Sequence, residues 1–143
     1  MGILIPGTNT LPPGSGRLHH TELWVRDFTR SQSTIGWLLV QLGYVPGEPW
    51  ATGISYQGAL SYIVLESGPD VLDTQHQRRA PGMNHLAFYA GTRRQVDKLT
   101  QGAQARGFTL MFDDKHPYAG GPEHYAAYLL DSEGFEFELV AEQ

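Results

Sequence analysis

Two stretches of the chain roughly 65 residues apart repeat one order of elements, and this internal repeat constrains the fold more than any other feature of the sequence. Residues 18–25 alternate: Thr21, Leu23 and Val25 share one face and His20, Glu22 and Trp24 the other, as a strand between two different environments requires. Asp27 then offers a helix N-cap, Ile35, Leu38, Leu39 and Leu42 recur at helical spacing, and Gly43 stops the helix. Short apolar runs over 44–66, broken by Pro46, Gly47, Gly53 and Gly58, predict two or three antiparallel strands. After a polar connection over 68–81 the order begins again with a strand over 83–90. Thr92 and Gln95 form a capping box, Val96, Leu99 and Ala103 a buried helical stripe, and Gly107 a stop; strands over 108–112, 125–130 and 135–140 follow.

Setting His20 on His85 also brings HTELWV onto HLAFYA. One half has a single-sided sheet and one helix, too little to be stable alone. Joined, the halves predict an α+β fold: two βαβββ modules forming one open, curved, barrel-like mixed sheet with helices outside. A single domain is expected over 18–143, with modules at about 18–67 and 82–143, behind a flexible arm at 1–17 whose prolines and glycines follow no period.

Composition narrows the function classes. With 15 acidic against 10 basic side chains and a net charge of -5, the chain has no electrostatic footprint for nucleic acid or an anionic membrane. No apolar run approaches the ~20 residues that span a bilayer, and the start lacks the pattern of a signal peptide, so the expected address is the cytoplasm. The absence of cysteine excludes disulfides, thiolate metal sites and cysteine nucleophiles. A small molecule is the expected partner.

The chemistry-bearing residues fall at matching places. His20 and His85 open the two modules, and the last strand sets Phe135, Phe137 and Leu139 against Glu136, Glu138 and Val140. If equivalent strands direct these polar faces into one concavity, two imidazoles and one of the two carboxylates form a facial set. Such a set holds a divalent metal and leaves positions open for water or substrate. Fe²⁺, Mn²⁺, Ni²⁺, Co²⁺ and Zn²⁺ all accept it. The loop over 113–123 carries His116 and Tyr118 and is long enough to fold over a site mouth. Trp24 and Tyr89, each four residues after its module's histidine, are expected on the cavity face, while Tyr125 and Tyr128 must face opposite ways.

This arrangement resembles the vicinal oxygen chelate superfamily, the group of glyoxalases, bleomycin-resistance proteins and extradiol dioxygenases. The opening pattern is His20, Leu23, Val25 and Asp27; the closing one is Asp131, Ser132, Glu133 and Gly134 before Phe137, Glu138 and Leu139. The resemblance runs from Leu18 to Val140 and implies that His20, His85 and Glu138 are metal ligands. It implies a homodimer as well. It further implies that the fourth ligand of glyoxalase I enzymes is missing, because aligning GALSYIVLE with GFEFELV puts Tyr62 opposite Glu138 and leaves Glu66 four residues further on. Glyoxalase I activity is therefore not expected, and Tyr62 would turn its phenol to the pocket beside Trp24, Tyr89 and Tyr118.

The segment over 128–138 is similar to the close of extradiol dioxygenases, where a tyrosine ten residues before the metal glutamate touches substrate; Tyr128 holds that place. The catalytic histidine of those enzymes would fall near Ala119, Gly120 or Gly121, so His116 and His124 stand as substitutes. Two functions follow from the resemblance. One is a metal-dependent isomerase, lyase or dioxygenase acting on vicinal oxygens, with Tyr128, His116 or His124 moving the proton. The other is a protein that sequesters an antibiotic or other natural product without turnover.

Overall fold

A computed structural model describes residues 10–142 of the chain. The first nine residues of the expected arm lie outside the described residues, and 10–17 form exposed turns. The first module runs β1 (His20–Trp24), α1 (Phe28–Ser31), a π-helical turn (Gln32–Gly36), α2 (Trp37–Gln41), β2 (Val45–Pro46), β3 (Gly53–Gln57) and β4 (Tyr62–Glu66). The second runs β5 (Leu86–Tyr89), α3 (Arg93–Ala105), β6 (Thr109–Met111), β7 (Ala126–Leu130) and β8 (Glu136–Val140). The expected α+β architecture of two βαβββ modules is thus present. Strand hydrogen bonds run within each module, giving two open four-stranded sheets with orders β1-β4-β3-β2 and β5-β8-β7-β6.

Both sheets arise in the same way. The helix after the first strand carries the chain back so that the module's last strand pairs parallel with its first, β1 with β4 and β5 with β8, while the intervening strands pair antiparallel. The caps read from sequence are in place: Asp27 accepts from the Arg30 amide, and Thr92 and Gln95 make a reciprocal capping box. Leu23 and Val25 enter the core, and His20, Glu22 and Trp24 stay exposed on the other face. Ile35, Leu38, Leu39, Ile63 and Leu65 of the first module join Val96, Ala103, Leu129, Phe137 and Leu139 of the second in one apolar cluster. Each fully buried leucine or phenylalanine there contributes about 1.5–3 kcal/mol. Among the described residues no helix is long and apolar enough to cross a membrane.

The modules are tied at the turn before β8. Glu133, 5% exposed, accepts from the Arg26 and Asp27 amides at 2.7 and 2.9 Å and from Ser31 Oγ at 3.3 Å, so a second-module carboxylate serves the start of the first-module helix. The 68–81 connection docks on the same turn. The His76 amide donates to the Glu133 carbonyl at 2.9 Å, and the His76 ring stacks on Phe135 at 4.5 Å. Gly134 has φ +94, and a Cβ there would lie 2.2 Å from the His76 carbonyl oxygen, so only glycine fits. Asp131 closes the turn by accepting from the Glu133 and Phe135 amides at 3.0 and 2.8 Å.

Burial above all pushes the Asp131 carboxyl from 3.8 up to about 6. A carboxyl with a higher pKa folded than unfolded contributes fully below the unfolded value and loses that contribution as pH rises through the folded one. The wild type should therefore lose about 2–3 kcal/mol from this group as pH rises across its shifted range. Asp131→Asn keeps an acceptor oxygen and should flatten that part of the stability-against-pH curve in urea titrations. An unaltered slope would contradict the assignment.

Candidate functional site

Register assembles the site on the second sheet. Glu138 pairs with Ala87 on one side and Tyr128 on the other, and Phe137 pairs with Leu86, which puts His85 just ahead of the β5 pairing and level with Glu136. The alternation expected in β8 is present, with Phe137 and Leu139 in the core cluster. The carboxylate face is buried too: Glu136 is 2% and Glu138 5% exposed. A carboxylate held out of water needs partners, and these identify the site.

His85 Nε2 lies 3.0 Å from one oxygen of Glu138, and His124 Nε2 contacts the other. Tyr128 packs edge-on to His85 with ring centroids 6.1 Å apart. Burial first, and then the charge of Glu138, push its phenol up to about 12, so it holds its proton at neutral pH. The 113–124 loop closes over this group. A Cβ on Gly120 would sit 2.6 Å from both the His124 ring and the Tyr128 hydroxyl, so the close approach of the loop depends on glycine there. Behind His85, Asn84 Oδ1 meets its Nδ1 at 2.7 Å, and the Arg78 guanidinium lies 3.0 Å from Glu136.

His20 does not join this group through any hydrogen bond or ion pair. It stands on the first sheet, its ring stacked on Tyr62 at 4.8 Å and 6°, its Nδ1 2.9 Å from His19 Nδ1 and its Nε2 3.6 Å from Glu22. Tyr62 therefore meets an imidazole on the solvent face of its sheet. The alignment that placed Tyr62 opposite Glu138 is corrected by the pairing. His20 is level with Tyr62 as His85 is with Glu136, so Val64 occupies the place of Glu138 and Glu66 that of Val140. Glu66 is then two residues from the ligand position, roughly 7 Å along the strand. It is held there by Thr52 Oγ1 at 2.6 Å and Trp50 Nε1 at 3.3 Å, and the Thr52 hydrogen bond leads in lowering its pKa. Valine cannot ligate, so the first module still lacks the fourth carboxylate.

The remaining candidates separate. Trp24 borders a groove of about 490 Å³ with Leu72, Met83 and Phe135, whereas Tyr89, 78% exposed, borders another of about 640 Å³ with Trp37, Leu42 and Leu99. They line no common pocket, and neither groove includes His85 or Glu138. Tyr118 packs edge-on to Tyr125, whose hydroxyl donates to Asp97 of α3 at 2.6 Å. Tyr125 and Tyr128 do face opposite ways, and Tyr118 goes with the outer one. No hydrogen bond, ion pair or ring contact joins His116 to Glu138, so His124 is the loop histidine that reaches the site. Asn84, Arg78 and His19 were not singled out from the sequence; for Asn84 and His19 the signal was a polar side chain directly before each module's histidine, whereas nothing in the spacing pointed to Arg78.

Two imidazole nitrogens address the two oxygens of one buried carboxylate, and among the described residues no lysine or arginine pairs with Glu138. That chemistry suits a cation. Yet among the described residues no group of three or more His, Asp or Glu side chains could hold one within a single chain. His85 and Glu138 fit as ligands, and the chain does not bring His20 to them.

No family model matches the chain. It is 40% identical to a "putative glyoxalase" from Bacillus halodurans of known crystal structure, with a TM-score of 0.84 over 89% of this chain and 96% of that one. It is 38% identical to the uncharacterized protein YqjT of Bacillus subtilis over 87% of this chain and 98% of that protein. The fold alone is shared with the fosfomycin resistance protein FosX of Listeria monocytogenes, at 21% identity and a TM-score of 0.60 over 88% of this chain and 93% of that one.

Proposed function

The chain belongs to the vicinal oxygen chelate superfamily of glyoxalase, bleomycin-resistance and dioxygenase proteins, and on that premise we propose that it is a small metal-dependent enzyme acting on a substrate with vicinal oxygens. The observation that carries this reading is the meeting of His85, His124 and Tyr128 at Glu138. His85 and Glu138 hold the ion, one of Fe²⁺, Mn²⁺, Ni²⁺, Co²⁺ or Zn²⁺. When bound, it supplies Lewis acidity to the substrate oxygens. The third ligand is His20 of the partner subunit in a homodimer, in which the first sheet of each copy faces the second sheet of the other. Exposure supports that pairing: His20, Trp24 and Tyr89 lie open on sheet faces that a second copy would cover.

The chain's own groups divide the proton work. Tyr128, protonated at neutral pH, donates to an oxygen of the substrate and can surrender its proton as negative charge develops there. His124, on the far oxygen of Glu138, accepts or returns a proton from its Nε2. Such a pair is compatible with isomerase, lyase and dioxygenase reactions, and the lack of a carboxylate at Val64 sets the chain apart from glyoxalase I. A second reading, sequestration of an antibiotic or natural product without turnover, is favoured by one observation: among the described residues no three-donor group forms within one chain.

Protein purified without chelator or nickel resin should carry about one divalent ion per chain by elemental analysis, and His85→Ala and Glu138→Gln should each remove most of it. Full occupancy in both variants would contradict the centre. Tyr128→Phe separates enzyme from container. Once a ligand is found among diketones, catechols and aromatic antibiotics, the enzyme reading expects turnover to fall at least about tenfold with metal content intact. The binding reading expects only a modest change in affinity, about 0.5–1.5 kcal/mol.

A further inference from the structure

We infer that the residue directly before each module's opening histidine, Asn84 in the second module and His19 in the first, is a positioning residue that fixes the imidazole with a bare Nε2; this rests on reading His85 and His20 as metal ligands. In the second module the proton assignment follows from the hydrogen bonds. Asn84 Nδ2 donates to the Arg78 carbonyl at 3.0 Å, so Oδ1 is the atom turned to His85 Nδ1 at 2.7 Å. A carbonyl oxygen can only accept, so Nδ1 carries the hydrogen and neutral His85 presents its Nε2 lone pair.

That lone pair points at Glu138 Oε1 from 3.0 Å. A lone pair and a carboxylate oxygen at that distance need a proton or a metal ion between them, and a divalent ion meets that need without moving the Nδ1 hydrogen. Asn84 is itself anchored. Arg78, whose carbonyl it bonds, sets its guanidinium 3.0 Å from the buried Glu136, so the imidazole is braced back to a carboxylate inside the sheet.

The first module uses a different residue for the same task. His19 and His20 meet through their Nδ1 atoms at 2.9 Å with rings at 79°, so one donates and the other accepts. The repeat assigns the hydrogen to His20: with His19 Nδ1 as acceptor, His20 Nε2 is bare as His85 Nε2 is. The stack on Tyr62 holds the His20 ring in that plane. An amide oxygen and an imidazole nitrogen are unlike groups, but on this assignment each accepts a hydrogen bond at the same position of the repeat. Such an acceptor on the remote nitrogen orients a ligand imidazole and makes it more basic.

Long-range ¹H–¹⁵N spectra of chelator-treated protein at about pH 8.5, above the ordinary imidazole range, report the tautomers directly. Both His85 and His20 should be Nδ1–H forms. Asn84→Ala should shift His85 towards Nε2–H and weaken Ni²⁺ binding about 10- to 100-fold, while Asn84→Asp, which keeps an acceptor, should preserve both. His19→Ala and His19→Asn should behave likewise towards His20. An Nδ1–H His85 with undiminished Ni²⁺ affinity in Asn84→Ala would overturn the inference, as would an Nε2–H His85 in the wild type. A wild type that takes up no Ni²⁺ would overturn the ligand reading instead, and the metal-free spectra would still decide the positioning claim.

Discussion

Glu133 carries a negative charge into the interior and satisfies it there with two main-chain amides and a hydroxyl from the other half of the molecule. A carboxylate in that position stabilises the fold only while all its partners are present, since removing them leaves a buried charge that costs several kcal/mol. The helix of the first module, the connecting segment and the closing strand of the second therefore meet at one turn. Glu138 lies five residues beyond Glu133 on the strand that leaves this turn. The turn that ties the halves together thus also opens the strand that carries the candidate ligand.

The two modules share a frame but divide the chemistry. The second supplies a buried carboxylate, two imidazoles and a phenol within one cluster. The first supplies an exposed imidazole stacked on a phenol and has valine where the second has its glutamate. Duplication followed by such division gives a site with one dense half and one sparse half. The sheet faces bearing His20, Trp24 and Tyr89 are left open.

Much of this was legible in the chain. Alternation in β1, the Asp27 cap and the Thr92 capping box are local signals, and local structure obeyed them because the core stripe of each element agreed with its propensity. The repeat located His20 and His85 correctly at the openings of the two sheets. What misled was the turn before each closing strand. Gly58 stands four residues before Tyr62, but Gly134 stands two before Glu136, so matching the glycines shifted the strands by two places. Only the pairing with the first strand removes that slip. Alternation of Phe and Glu in β8 pointed its carboxylate face into a concavity but did not give how completely that face is buried beside the 113–124 loop. The choice of His124 over His116 rests on the path of an aperiodic loop, which spacing cannot supply.

We propose that one divalent ion joins the dense half of one chain to the sparse half of another. Anomalous diffraction at the metal edge, on crystals grown from protein loaded with Co²⁺, tests it most directly. One strong peak per chain is expected at about 2.0–2.2 Å from His85 Nε2, from a carboxylate oxygen of Glu138 and from His20 Nε2 of the partner subunit. A peak remote from Glu138, or Glu138 bound only by His85 and His124 with no ion in Co²⁺-soaked crystals, would contradict it.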